Sequence, residues 1–313
     1  VGLSMLIFGS MTLMMTTMED SFLGGLEDNQ KWDAQVNVPF GGEAAVIDWA
    51  EEKGAAHESM LLFPVNPVND SRYLLAYGLD KLSTEDDAMM VLDLKEGSIP
   101  EEGASTTQVL IDEGLRVFLE WDVGQTQTVM IGSSSMQIEI TGITQGEISR
   151  TVYLHRADLA QAVGIEATSV LIALPDGVGV DNELGEISLG VTQKGDLIAS
   201  FESILEQQQV FFSAILTLGV IIAIVVLFNT LLMNLAERDR EIATLRVLGA
   251  PIRRIGSMML GEHFAIGVVG GTLACVFTVI GTQALISSFV QWAFYMTVQT
   301  DLSVAVLLIG IVV

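Results

Sequence analysis

Three stretches of this 313-residue chain carry no Asp, Glu, Lys or Arg: 1–18, 207–236 and 264–300. A run of about 18 or more apolar residues with few charges reads as a membrane-spanning helix, because lipid offers the backbone no hydrogen-bond partners. The clearest run is Phe211–Met233. At about 1.5 Å rise per residue it reaches roughly 34 Å, enough to cross a bilayer core. Upstream, Leu197, Phe201, Ile204 and Leu205 recur at helical spacing. One continuous helix is therefore expected, leaving the membrane as a stalk. A third span is expected from Phe264 to about Phe289, with Gly267 and Gly271 as a GxxxG pair that lets helix backbones approach closely. Trp292, Phe294 and Tyr295 then have the composition of an interfacial belt, and a fourth span starts near Leu302. The chain opens at Val1 without an initiator Met and stops at Val313 inside an apolar run, so both ends read as truncations. For the first run, a cleaved signal peptide is the rival reading.

Charge divides the chain as sharply as hydropathy does. The net charge is −25, from 39 acidic and 14 basic residues. Met18–Glu206 holds 34 of the acids and nine of the bases, which is the whole −25. Such a segment is strongly solvated and poorly suited to nucleic acid or an anionic lipid surface. It reads either as a solvated acidic surface or as one that favours a cationic partner. Arg238, Arg240, Arg246, Arg253 and Arg254 all fall in the short loop between the second and third spans. Basic residues in short loops stay cytoplasmic, so this loop lies inside and the acidic segment outside. The only cysteine, Cys275, excludes an intrachain disulfide. The outer segment of about 190 residues must stand on its own core, and that length suffices.

Within the outer segment, strands are expected at 35–40, 59–63, 73–77, 108–111, 128–131, 136–141, 151–154 and 170–174. Helices are expected at 43–53, where Ala45, Ile47, Trp49 and Ala50 are available for burial, and at 112–121 and 156–163. The fold class is thus an α-helical integral membrane protein with an α+β extracytoplasmic domain. The expected division is a truncated first span at 1–17 and an outer domain at 18–206 with a β-rich insertion at about 92–146. A second span follows at 207–233, a cytoplasmic helix and turn at 234–263, and a third span at 264–289. An outer loop at 290–301 and the start of a fourth span at 302–313 complete it.

Motifs for catalysis are missing. No G-x-x-x-x-G-K-[ST] phosphate loop and no G-x-S-x-G nucleophile elbow occurs. His57, His155 and His263 are far apart, and His57-Glu58 reads as a surface pair rather than a metal site. Acidic neighbours such as Glu51-Glu52, Asp86-Asp87 and Glu101-Glu102 read as solvated positions. Asn69-Asp70-Ser71 fits a glycosylation sequon. No catalytic residue, cofactor or metal is expected.

The cytoplasmic segment is the informative one. Leu235, Ile242, Leu245 and Leu248 mark an apolar stripe, while Glu237, Arg238, Arg240, Glu241 and Arg246 take the wetter faces. Glu237 and Glu241 are a like-charge pair at i,i+4, which Arg240 at i+3 from Glu237 offsets. Gly249 suits the left-handed residue that ends a helix, and Pro251 suits the first turn of the next. Physics alone leaves two readings: a juxtamembrane helix with orienting arginines, or a docking surface for a cytoplasmic protein.

The run Phe228–Ala250 closely resembles the signature of FtsX-like permeases, a family that includes the permeases of macrolide-exporter-type and lipoprotein-releasing ABC transporters. The pattern is an Asn in the lower span followed by E-R-x-R-E-I-x-x-L-R-x-x-G-A. Here it is supplied by Asn229, Glu237, Arg238, Arg240, Glu241, Ile242, Leu245, Arg246, Gly249 and Ala250. More loosely, Glu96–Pro100, Val109–Asp112, Trp121–Gly124 and Ile140–Ile143 resemble the progression of the MacB-like periplasmic core domain. The resemblance implies a multi-pass permease subunit of the cytoplasmic membrane, in contact with lipid and without enzymatic activity of its own. Its expected partners are a separate ABC-type ATPase, a second permease as homodimer or heterodimer, and an outer substrate or protein. The coupling helix would comprise Glu237, Arg238, Arg240, Glu241, Arg246 and Gly249. Export or release of a lipoprotein, lipid, peptide or drug is the implied activity. The alternative is a non-transporting subunit that activates an outer partner such as a cell-wall hydrolase.

Overall fold

Short β-prone runs, some alternating and some apolar throughout, make the strands of the acidic segment, and continuous apolarity makes the long helices that follow. The computed structural model describes residues 19, 22–68, 72–85, 87–132, 134–145, 150–249 and 251–290. The expected first span, the sequon at 69–71, nearly all of the 290–301 loop with its aromatic residues, and the fourth span lie outside these. Two compact units emerge, one within 18–203 and one within 204–285.

After a π-helical turn at Gly25–Asn29, the first unit runs β1 (Ala34–Asn37), α1 (Glu43–Glu52), β2 (Ala56–Pro67), β3 (Leu74–Leu79) and β4 (Leu94–Gly97). It continues with β5 (Thr107–Asp112), α2 (Glu113–Leu119), β6 (Thr126–Ile131), β7 (Ser134–Thr144) and β8 (Thr151–His155). Last come α3 (Arg156–Val163), β9 (Ser169–Ala173), α4 (Asn182–Ile187) and β10 (Gly190–Gln193). The ten strands share one hydrogen-bonded sheet.

Part of that sheet closes on itself. β2 pairs with β3, β3 with β8, β8 with β5, β5 with β7, β7 with β6, and β6 returns to β2. The β3–β8 and β5–β7 pairs are parallel and the other four antiparallel. Closure removes the open edges of a six-strand segment. The residues filling the ring alternate along each strand: Leu61 and Val65, Val109 and Ile111, Val129 and Ile131, Ile138 and Ile140, Val152 and Leu154. Residues two apart share a face of a strand, so this parity turns them all inward. Leu115 of α2 and Leu159 of α3 pack on the same cluster. Each fully buried aliphatic side chain is worth about 1.5–3 kcal/mol relative to exposure.

The early half of β2 belongs to a second assembly, in which it pairs with β9, β9 with β1, and β1 with β10. α1 and α4 cover one face, where Val36, Val46, Trp49, Ala50, Ile172 and Leu184 are buried. The opposite parity, Leu110 and Leu171, joins Trp32, Met60, Leu79 and Leu92 in another cluster. β5 and β9 are therefore apolar on both faces, which explains their unbroken hydrophobic runs.

Most sequence-derived elements appear at or near their expected places, with three additions. β4 is mostly exposed and β10 is short, so neither carries an alternating signal. The six-residue α4 is marked by its cap, Asp181, whose side chain accepts a hydrogen bond from the Leu184 amide. On α1 the buried face is Val46, Trp49 and Ala50, whereas Ala45 is exposed and Ile47 half-buried. The strands within 92–146 are not a separate sheet: they complete the ring with β2, β3 and β8. Where β4 crosses β7, a bulge brings Gly97, at φ 90°, against Thr141 and Gly142. A Cβ on Gly97 would overlap the Thr141 carbonyl oxygen, so only glycine fits.

The second unit is built on α5 (Lys194–Glu237), α6 (Asp239–Val247) and α7 (Ile252–Val290). The 44-residue α5 begins in the first unit and joins stalk and span into one helix, as the periodicity predicted. At 1.5 Å per residue it is roughly 66 Å long. Phe211, Val220, Ile221 and Val226 are all exposed and point to different sides of the helix. A helix apolar all round is suited to lipid rather than water. Among the described residues α5 alone meets the length and composition of a membrane span, and α7 carries a shorter apolar stretch at Gly267–Thr278.

Candidate coupling site

α5 does not simply end at Glu237. Arg238 breaks the helix locally, at φ −95° and ψ 11°, and α6 starts at Asp239. Backbone bonds bridge the break: the Arg238 amide donates to the Asn234 carbonyl at 3.1 Å and the Ile242 amide to the Arg238 carbonyl at 3.0 Å. The chain thus passes from span to short helix with its backbone groups satisfied. α6 has Asp239 and Glu241 in its first turn and Arg246 in its last. That order complements the helix dipole at both ends.

The far end is equally defined. The Leu248 amide donates to the Thr244 carbonyl at 3.1 Å and the Gly249 amide to the Arg246 carbonyl at 3.0 Å. Gly249 takes φ 86°, the left-handed conformation expected of it. The Arg254 amide bonds to the Pro251 carbonyl at 2.9 Å, and α7 starts at Ile252. Glu237, Arg238, Arg240, Glu241, Arg246 and Gly249 are all exposed along this element. No ion pair links Glu237 to Arg240 among the described residues, so the expected offset of Glu237 and Glu241 is not a salt bridge.

The apolar stripe is divided. Ile242 and Leu245 are half-buried, but Val247 is 88% and Leu248 78% exposed beside Gly249. The turn therefore presents two bare apolar side chains next to the Arg246 guanidinium. Two large aliphatic groups thus stand open at the end of α6.

The glycine pair of α7 is also divided. Gly271 is buried and Gly267 exposed. Thr278, seven residues beyond Gly271, is buried on the same face. Gly271 and Thr278 are both small, which suits close helix packing.

In the first unit, two buried carboxylates escaped the sequence reading. Glu58, expected at the surface beside His57, is buried and accepts hydrogen bonds from the Lys81 and Met89 amides at 2.9 and 3.0 Å. Burial pushes its carboxyl above the ordinary range. Asp112 caps α2, accepting from the Leu115 amide at 2.6 Å, and ties in β8 through the Thr151 amide at 2.6 Å. Burial pushes its carboxyl up to about 7, against the opposing pull of those two amides and of Arg150. Both acids are committed to backbone amides, which makes them structural. Asp112 was legible as the cap of a helix starting near it; Glu58 had no local signal. A shallow cavity of about 420 Å³ beside Glu58 includes His57, Asp80 and Lys81. Asp80 there is ion-paired with Arg156. Among the described residues, no group of three or more His, Cys, Asp or Glu is placed to hold a metal ion.

Comparison with known proteins places the second unit. Residues 213–313 match the family of FtsX-like permease C-terminal domains, a stretch that takes in the lower part of α5 and all of α6 and α7. No curated protein matches the chain in sequence. Among solved structures, the chain is similar to the periplasmic region of MacB from Actinobacillus actinomycetemcomitans. The identity is 14% and the TM-score 0.35, over 56% of this chain and 94% of that one. It is also similar to the extracellular domain of the noncanonic ABC-type transporter YknZ from Gram-positive bacteria, with 10% identity and a TM-score of 0.33, over 55% of this chain and 94% of the other. Segment 213–313 is thus similar to the FtsX-like permease C-terminal family, a match that covers about a third of the chain.

Proposed function

We propose that the chain is the permease subunit of an ABC transporter whose ATPase is a separate chain, and that α6 with its turn is where that ATPase docks. The family match over 213–313 carries this reading. The supporting geometry is the ordered break at Arg238, the left-handed Gly249, and the bare Val247 and Leu248 beside Arg246. In orientation, the five arginines of 238–254 lie inside and the acidic α+β domain outside.

The cycle follows from continuity of the chain. ATP binding draws two ATPases together, and each docked α6 moves with its ATPase. α6 is joined to α5 through backbone hydrogen bonds, and α5 is one helix of 44 residues. Motion at the base is thereby carried along α5 toward the outer domain. That domain then releases or hands on a substrate held outside the membrane, such as a lipoprotein, lipid, peptide or drug. The chain supplies no catalytic group of its own.

The local test is Arg246→Glu, which reverses the charge beside the apolar tip. The expected result is a several-fold drop in permease-stimulated ATP turnover in the reconstituted complex, with unfolding of the outer domain unchanged. Unaltered turnover and transport would count against docking at α6.

A further inference from the structure

Bases are scarce in the acidic domain, nine against 34 acids within 18–206. Lys53, Lys95, Arg116 and Arg156 each form a salt bridge with a carboxylate. Arg72 and Arg150 are placed differently. Their guanidinium carbons lie 3.7 and 3.4 Å from the centroid of one ring, that of Phe118. One face of a phenyl ring has no room for two such groups at this distance, so the arginines sandwich the ring. The three residues meet at the end of the closed ring of strands where β3 and β8 begin and β5 stops.

The sandwich is held in place by the backbone around it. The Arg72 carbonyl accepts from the Asn66 side-chain amide at 3.1 Å, and the Arg150 carbonyl from the Leu75 amide at 3.2 Å. Leu115, three residues before Phe118 on α2, is fully buried in the core of the ring of strands. Two guanidiniums fixed in advance spare a ligand the rotamer entropy of ordering them. At stacking distance each guanidinium lies flat on the phenyl face, with its N–H donors directed in plane past the rim. The rim of an aromatic ring is the positive part of its quadrupole. Donors above and below a positive rim form a slot that matches the oxygens of a phosphate or carboxylate. Asp112 is an acid whose charge reaches Arg150, and its two oxygens are already taken by the Leu115 and Thr151 amides.

We propose that the Arg72–Phe118–Arg150 sandwich is a binding site for a small ligand with one oxyanion head, phosphate or carboxylate, and an apolar body. Two observations select this class. The net −25 of the domain repels a ligand of many negative charges, so the complement is a single head rather than a polyanion. Exposed apolar surface adjoins the slot: Tyr73, next to Arg72, is 73% exposed, and Val117, next to Phe118, is 51% exposed. These side chains offer the apolar body a place to rest. The site belongs to the α+β domain alone and does not depend on the permease reading.

The test titrates hexyl phosphate into the full-length protein in nanodiscs of zwitterionic lipid. Binding is read by isothermal titration calorimetry, with empty nanodiscs as the blank. Saturable binding is expected, weakened about tenfold by Arg72→Gln or Arg150→Gln, the loss of a charge-assisted hydrogen bond. Phe118→Leu, which keeps an apolar side chain but removes the stacking face, should weaken it several-fold. Arg116→Gln, on the same helix but paired with Glu96 and Asp122, should leave it unchanged. Melting followed through the buried Trp121 shows which variants are folded. If Arg150→Gln is not, the exposed Arg72 carries the test alone. Hexanoate, titrated in parallel, tells a carboxylate head from a phosphate head by the tighter binding. No saturable binding, inorganic phosphate or hexanol binding as tightly as hexyl phosphate, or unchanged affinity in folded Arg72→Gln would each overturn the proposal.

Discussion

Asp112 shows how one side chain sets the local fold and its pH response. It ends β5, caps α2 and holds the start of β8, with both oxygens on backbone amides. Its carboxyl is raised to about 7 by burial, above its ordinary 3.8. The folded state therefore holds a proton that the unfolded state has released across that interval. The stability it contributes falls as pH rises from about 4 to 7, because the unfolded chain binds fewer protons there. Asp112→Asn keeps the shape and removes the titration. We expect the melting temperature of the variant to gain on that of the wild type as pH rises through this window. The buried Trp32, Trp49 and Trp121 report the outer domain's unfolding by fluorescence. A difference between variant and wild type that stays constant from pH 4 to 7 would refute this reading of Asp112. The role was half visible in sequence: an Asp before a helical pattern is a cap, but its second bond to Thr151, 39 residues away, depends on how β5 and β8 pair. Glu58 was not visible at all, since its amide partners come from a loop that no periodicity predicts.

Elements with strong local signals were read most fully. α5 and the α6 turn follow from continuous apolarity, a capping glycine and a proline, all properties of neighbouring residues. Gly249 shows how specific such a signal is. A Cβ there meets no atom within 4 Å, so the cost of Gly249→Ala is the left-handed backbone itself, about 1 kcal/mol. That is enough to loosen the turn but not the membrane helices. The expected outcome is normal membrane abundance with reduced ATPase recovery. Full recovery would mean that the turn geometry is dispensable for docking. Edge strands were read least: β4 and β10 lack an alternating pattern because little of either is buried. The ring was illegible for a different reason. β2 changes partners along its length, from β9 to β3 to β6, and no local pattern records which strands it will meet.

At the scale of the whole molecule, the two units divide charge and chemistry between them. The α+β domain holds all of the net −25 and stands on three buried clusters without a disulfide. The helical unit holds most of the segment that matches the FtsX-like permease C-terminal family, and it carries the five arginines of 238–254. The permease proposed here needs an energy source, and the sequence contains no G-x-x-x-x-G-K-[ST] phosphate loop. The direct test is to purify the full-length protein from its native membrane after mild cross-linking and to identify by mass spectrometry what accompanies it. The account predicts an ATPase with a phosphate-binding loop, lost when Arg246 and Glu241 are replaced, and an accompanying outer protein or lipid would then separate signalling from transport. An intact, abundant protein that brings no ATPase would contradict the account.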